Sequence, residues 1–272
     1  LTVTGSQPTT ITGGGAALTK VDASAISKAV TFSATVATAG AELIGGAGGD
    51  TISGAAGADT LTGGAGNDTL TGNAGVDVIS GGDGVDTITG NAGADTLTGG
   101  AGVDTFIYTA NTTTATPAVH ISSSAQTDTI TDFVSGTDKL SFTGANAPVA
   151  FLGNFANIQT ALAAQNNGDA IADRAAFVTG ENSLYIFNNT NGTLNVDDTV
   201  IKLTGVTSLA ASDLQLGTQV TGASVTLSAA SAVVNSTTST NATGVSTSKD
   251  DTITATVATA TDSTVDGGAG SD

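Results

Sequence analysis

From Gly45 to Ile107 the chain places one large apolar residue every nine positions and fills the intervals with small or polar ones. The seven units read GGAGGDTIS, GAAGADTLT, GGAGNDTLT, GNAGVDVIS, GGDGVDTIT, GNAGADTLT and GGAGVDTFI, without insertion. A fixed period of this length fits a parallel β-helix, in which positions one to six turn and the last three form a very short strand. Position eight is always large and apolar: Ile52, Leu61, Leu70, Ile79, Ile88, Leu97, Phe106.

The flanks keep a β pattern without the period. Residues 1–44 alternate short runs such as Leu1-Thr2-Val3-Thr4, Leu18-Thr19-Lys20-Val21 and Ala29-Val30-Thr31-Phe32 with small-residue turns, which predicts short strands of the same solenoid. Residues 108–217 carry strand-like runs at Asp128 to Phe133, Lys139 to Phe142, Leu184 to Phe187 and Val200 to Leu203. Within them Asn154 is placed to cap a helix whose Phe155, Ile158, Leu162 and Ala163 share a face, and a second short helix is expected from Asp169 to Ala176. Residues 218–272 are Ser/Thr-rich and end on Gly267-Gly268-Ala269-Gly270-Ser271-Asp272, two thirds of another unit. The expected fold is therefore mainly all-β, a parallel β-roll or β-solenoid over 45–107. A strand segment at 1–44 precedes it, a β-rich cap with a short helix at 108–217 follows, and 218–272 opens a further module.

Composition says what must hold such a fold together. Aromatics are 4% of the chain and Trp and Met are absent, so the core is thin and built from Val, Ile, Leu and Ala. Cysteine is absent, which excludes disulfides and thiolate metal sites. The net charge is −18, and of 24 acidic residues only Glu42 and Glu181 are glutamates. Aspartate is the shorter carboxylate, suited to turns and to oxygen-ligand cation sites. With 6 Lys and Arg, the chain is a poor match for nucleic acid or anionic lipid, and its natural partner is a cation. No apolar run is long enough for a transmembrane helix. The chain opens on Leu rather than Met, as a piece excised from something longer would.

The acidic residues sit where the coil would stack them. Position six is Asp50, Asp59, Asp68, Asp77, Asp86, Asp95 and Asp104. Position one is Gly45, Gly54, Gly63, Gly72, Gly81, Gly90 and Gly99, and position four is Gly48, Gly57, Gly66, Gly75, Gly84, Gly93 and Gly102. Glycine suits positive φ, or carbonyls crowding an ion. At position two, Asn73 and Asn91 tolerate left-handed backbone, whereas Ala55 does not fit the pattern. Two units make one coil turn, so residues 18 apart stack and the aspartates form two columns, Asp50-Asp68-Asp86-Asp104 and Asp59-Asp77-Asp95. At one strand spacing, unit charges repel by about 0.9 kcal/mol even in water.

A hard cation between turns reverses that sign by taking two aspartates and several turn carbonyls, and calcium fits better than magnesium, which dehydrates reluctantly. Pairs 18 apart give three sites in one column and two in the other, about five in all. At roughly ten times each dissociation constant, linkage contributes about 1.4 kcal/mol per site, on the order of 7 kcal/mol together, comparable with a whole domain's stability.

These residues resemble the RTX family of Gram-negative type I secretion substrates, whose repeats fold as a calcium-loaded β-roll outside the cell. Asp128-Thr-Ile-Thr-Asp132-Phe133-Val-Ser-Gly136-Thr-Asp138-Lys-Leu140 is similar to the segment that follows RTX blocks, and Val200-Ile-Lys-Leu-Thr-Gly205-Val to a strand near the secretion region. Val21-Asp-Ala-Ser24 through Phe32, and Asp250-Asp251-Thr-Ile253 leading to Val265-Asp266-Gly-Gly, look like phrases of bacterial RTX surface-layer proteins. That resemblance implies a secreted, self-assembling lattice or filament on the bacterial cell surface, with calcium as cofactor and a surface polysaccharide as anchor. A calcium-stiffened segment of a giant adhesin and an accessory domain of a secreted enzyme are the alternatives. The only histidine is His120, which excludes an H-E-x-x-H zinc site, and Asp197-Asp198 reads as a solvated turn, so no catalytic residue is expected.

Overall fold

The computed structural model describes residues 1–12, 19–33, 40–109, 127–143, 150–165, 174–187 and 199–216, with four short strands beyond. Successive strands of the repeat block alternate between two sheets. One sheet has eight parallel strands in the order β1 (Thr9–Thr12), β3 (Val30–Ser33), β5 (Thr51–Ser53), β7 (Thr69–Ala74), β9 (Thr87–Ala92), β11 (Thr105–Thr109), β13 (Lys139–Thr143) and β18 (Leu214–Gln215). The other has ten strands. It runs β2 (Lys20–Asp22), β4 (Glu42–Ile44), β6 (Thr60–Ala65), β8 (Val78–Gly84), β10 (Thr96–Gly102), β12 (Asp128–Ile130) and β17 (Thr199–Leu203) in parallel, then β16 (Ser183–Phe187), β15 (Arg174–Val178) and β14 (Ala150–Phe155). Together they form a parallel β-roll.

Register explains the core. The position-eight residues pair directly along each sheet, Leu61 with Ile79 and Ile79 with Leu97 in one, Ile52 with Leu70 and Leu70 with Ile88 in the other. Each ladder continues past the period. Val21 and Leu43 lie below Leu61, and Ile130 and Leu203 lie above Leu97. Phe32 lies below Ile52, with Leu140 and Leu214 above Phe106. All are buried in one cluster, so a single thin apolar seam runs from the first strands into the cap. Period-two alternation puts Thr and Ser at positions seven and nine on the outer faces. The strands outrun the expected three residues; β8 and β10 have seven each because their pairing continues into the turn, Gly82 with Gly100 and Gly84 with Gly102.

The helix lies elsewhere than the sequence suggests. Asn154 is in β14, where its amide donates to Leu209 O at 2.9 Å and its Oδ1 accepts the Leu209 N–H at 2.8 Å. The helix α1 (Ile158–Gln165) starts after Asn157, whose Oδ1 accepts the Thr160 N–H at 3.0 Å. Tertiary pairing holds Asn154 in the sheet and leaves the next asparagine to cap. Phe155, Ile158 and Leu162 do pack together, around buried Ala161 rather than Ala163, which is exposed.

The second expected helix is corrected too: Arg174–Val178 is strand β15, buried on both faces, while 169–173 lie outside the described residues. A short run buried on both sides has no period that separates strand from helix. Beyond 217, Val225–Leu227 pairs with Ile253–Ala255 and Val234–Asn235 with Val265–Asp266, both parallel.

Candidate metal centre

All seven position-six aspartates are buried, at 0 to 1% exposure, just inside the turns. Their Oδ1 atoms clamp the coil. The N–H of Asp50 donates to Asp68 Oδ1 at 2.6 Å, that of Asp59 to Asp77 at 2.8 Å, and that of Asp68 to Asp86 at 2.8 Å. Asp77 donates to Asp95 at 2.9 Å and Asp86 to Asp104 at 2.9 Å. The stacking inferred from spacing 18 is therefore present, with a backbone bond at each step.

The second oxygens are different. Oδ2 of Asp50 accepts the Gly46 N–H at 2.6 Å and Oδ2 of Asp59 the Ala55 N–H at 2.9 Å. Oδ2 of Asp68, Asp77, Asp86 and Asp95 is sealed from water with no partner. A buried unpaired acceptor is expensive, and a buried charge more so. Burial accordingly raises these carboxyls from 3.8, to about 6 for Asp68 and Asp77, against the opposing bond from the preceding aspartate's N–H. Stacked carboxylate neighbours add to the rise. Asp86 and Asp95 are also raised, chiefly by burial, and Asp104 reaches about 6.

The glycines divide into two roles. At position one the demand is space: a Cβ on Gly63 would overlap Asp68 Oδ2 and the Gly81 carbonyl oxygen of the next turn. Gly45, Gly54, Gly72 and Gly81 stand in the same cradle, whereas at Gly90 and Gly99 the nearest atoms are all of their own turn's aspartate. At position four the demand is conformational as well as steric: Gly66 has φ +114° and a Cβ there would meet the Gly48–Gly49 backbone of the turn below, and of the seven only Gly48 lacks a positive φ, being pressed on the Lys28–Ala29 backbone. Asn73 and Asn91 take φ of 79° and 69°, and Ala55 is not left-handed.

Sequence reasoning placed Asp128 and Asp138 in a resembling segment but not in the columns. Their Oδ1 atoms accept the N–H of Asp95 at 2.8 Å and of Asp104 at 3.1 Å, adding one carboxylate to each column. The signal was local: Asp128-Thr-Ile and Asp138-Lys-Leu repeat the position six-to-eight phrase. At the other end Val30 and Ala41 donate to Asp50 and Asp59 from places where no aspartate stands. His120 and Asp197-Asp198 lie outside the described residues.

Among the described residues no three His, Cys, Asp or Glu side chains gather to hold a metal. The donor set that the described residues offer is paired carboxylates with turn carbonyls, all oxygen, which suits a hard cation of high coordination number better than a softer one. Residues 44–79 and 71–106 match the family model of the RTX calcium-binding nonapeptide repeat (4 copies). The chain carries an RTX calcium-binding repeat block. No curated protein matches the chain. RTX repeats bind calcium, serve a structural rather than catalytic role, and are typical of secreted proteins. The RTX block fits that ion on its own geometry, since four orphaned, buried carboxylate oxygens need positive charge. No helix among the described residues is long and apolar enough to cross a membrane.

Proposed function

We propose that the RTX block is a calcium-switched stiffener with five ion levels, serving an extracellular structural protein. The observation that carries this is the repeated cradle in which an aspartate Oδ2, the glycine of its own turn and the glycine carbonyl of the next turn meet. It occurs at Asp50 with Gly63, Asp59 with Gly72, Asp68 with Gly81, Asp77 with Gly90, and Asp86 with Gly99. These are the same five levels that the 18-residue spacing counts. Each level supplies two aspartates and turn carbonyls as ligands, and bound calcium neutralises columns that otherwise oppose folding. Both apolar ladders run through 44/45 and 107/108 into the flanks, so the flanking strands stiffen with the block.

Far-UV circular dichroism of the full chain tests this: little β signal with chelator and a β-rich spectrum in millimolar calcium is expected. A spectrum indifferent to calcium overturns it.

The finer reading is a surface-layer or filament component that packs on its own copies at the bacterial surface and is anchored there by polysaccharide. Its support is the resemblance of the phrases around Val21 and Asp250, together with Thr-lined outer faces. Electron microscopy after calcium addition should show ordered sheets or filaments, and a strictly monomeric species at high concentration rejects the lattice.

A further inference from the structure

Residue 108 lies 18 positions after Gly90, so it takes the place of position one at the next level of the second column, but it is Tyr rather than Gly. Its side chain points inward, 4% exposed, stacked on Phe142 with ring centroids 5.8 Å apart. The column itself goes on, because the Asp95 N–H donates to Asp128 Oδ1 at 2.8 Å. The cradle does not. A Cβ on Gly90 would meet three atoms of Asp95 first, out to 3.1 Å, so no next-turn carbonyl stands as near as at the five levels below, where it lies within 2.9 Å.

Neither Asp95 Oδ2 nor the Tyr108 hydroxyl is otherwise satisfied, and both are sealed from water. An ordinary phenol keeps its proton at neutral pH, so the Tyr108 hydroxyl has one to donate. A buried donor and a buried acceptor without partners complement each other. A ring of this size also takes the volume that six or more oxygen ligands around an ion would need.

We propose that Tyr108 ends the second ion column: its O–H, lodged by the carboxylates of Asp95 and Asp128, does at that level what a cation does at the levels below. Tyr108 thereby helps fix the number of ions the RTX block holds. The inference rests on the calcium ladder proposed above, but it can fail separately.

The full chain is compared with Tyr108→Phe, Asp128→Asn and the double variant in saturating calcium, by thermal melting and by calcium stoichiometry from equilibrium dialysis. The proposal expects an unchanged stoichiometry in all four proteins. It also expects a lower Tm for Tyr108→Phe, and a smaller loss when Asp128 is already Asn. A stoichiometry that falls by one in Asp128→Asn places a cation there and overturns the proposal. Additive Tm losses make Tyr108 a core aromatic only and overturn it too.

As the chain has 2 tyrosines, Tyr185→Phe leaves Tyr108 as the sole phenol, and its Raman doublet must show a strong hydrogen-bond donor in calcium. A doublet without donor character rejects the proposal whatever the variants do. Failure of calcium to bind at all would instead reject the ladder.

Discussion

The backbone N–H of Asp50 donates to Oδ1 of Asp68, one coil turn later, at 2.6 Å. One carboxylate therefore has two duties, clamping the turn before it through Oδ1 and holding unneutralised charge at Oδ2, and substitutions can separate them. Asp77 is placed alike, its Oδ1 clamping Asp59 and its Oδ2 orphaned. Asp77→Asn keeps an acceptor for the Asp59 N–H and removes the charge. It should stabilise the calcium-free fold and weaken calcium affinity, whereas Asp77→Ala loses the clamp as well and costs about 1.5–3 kcal/mol in calcium. Denaturant melts of both variants, with and without calcium, check the sign; an Asn variant less stable than wild type in chelator contradicts it.

The same charges set the pH dependence of the metal-free protein. Folded Asp68, Asp77 and Asp104 titrate at about 6, against 3.8 when free in solution, because burial penalises the anion. Between these values the folded chain binds more protons than the unfolded one, so its stability is full below about pH 4 and is lost as pH rises through about 6. Metal-stripped protein should therefore gain β signal on acidification from neutral pH. Calcium titrations should move to higher concentration below about pH 6, as protons compete for the same oxygens. Flat dichroism over that window would remove the columns as the source of instability.

Crowding at position one predicts a graded effect of alanine. On Gly63 a Cβ meets Asp68 Oδ2 and the Gly81 carbonyl, neither of which can retreat without breaking the coil. Gly63→Ala should cost about 1–3 kcal/mol by overpacking and lower calcium stoichiometry by at least one. At Gly153 nothing lies within 4 Å, but φ is +116°, so alanine there meets backbone strain alone and leaves the stoichiometry untouched. Isothermal titration of the two variants separates them.

What the sequence made legible follows from how strictly the residues repeat. Invariant Asp and Gly at fixed spacing, with an apolar residue two places after each Asp, fix register, ladders and columns together, because one coil geometry satisfies all three. Asp128 and Asp138 escaped because the chain inserts extra residues before each, so the partner of Asp95 lies 33 residues on and that of Asp104 lies 34 on, instead of 18. Asn154 and Arg174–Val178 misled for another reason. Capping preference and apolar periodicity are local, whereas the mutual bonds of Asn154 with Leu209 and the two-sided burial of β15 are set by distant strands.

Asp132 closes the top of the first column. It follows Ile130 by two residues, as Gly99 follows Leu97, and its carboxylate accepts the N–H groups of Gly99 at 2.9 Å and Gly100 at 2.8 Å. In lower turns the glycine N–H at position one donates to a backbone carbonyl of the next turn, as Gly45 does to Thr62 and Gly54 to Thr71, both at 2.8 Å. Asp132 thus replaces a peptide that the interrupted period no longer supplies. Asp132→Ala leaves two donors to water at the end of the block and should cost about 1–2 kcal/mol, with little recovered by Asn, whose amide offers one acceptor for two donors. Loss should be local, since the turns below retain their own bonds. Amide hydrogen exchange in calcium should show Gly99 and Gly100 opening faster while Gly63 and Gly64 keep their protection, and uniform protection across both turns would deny Asp132 its role as terminator.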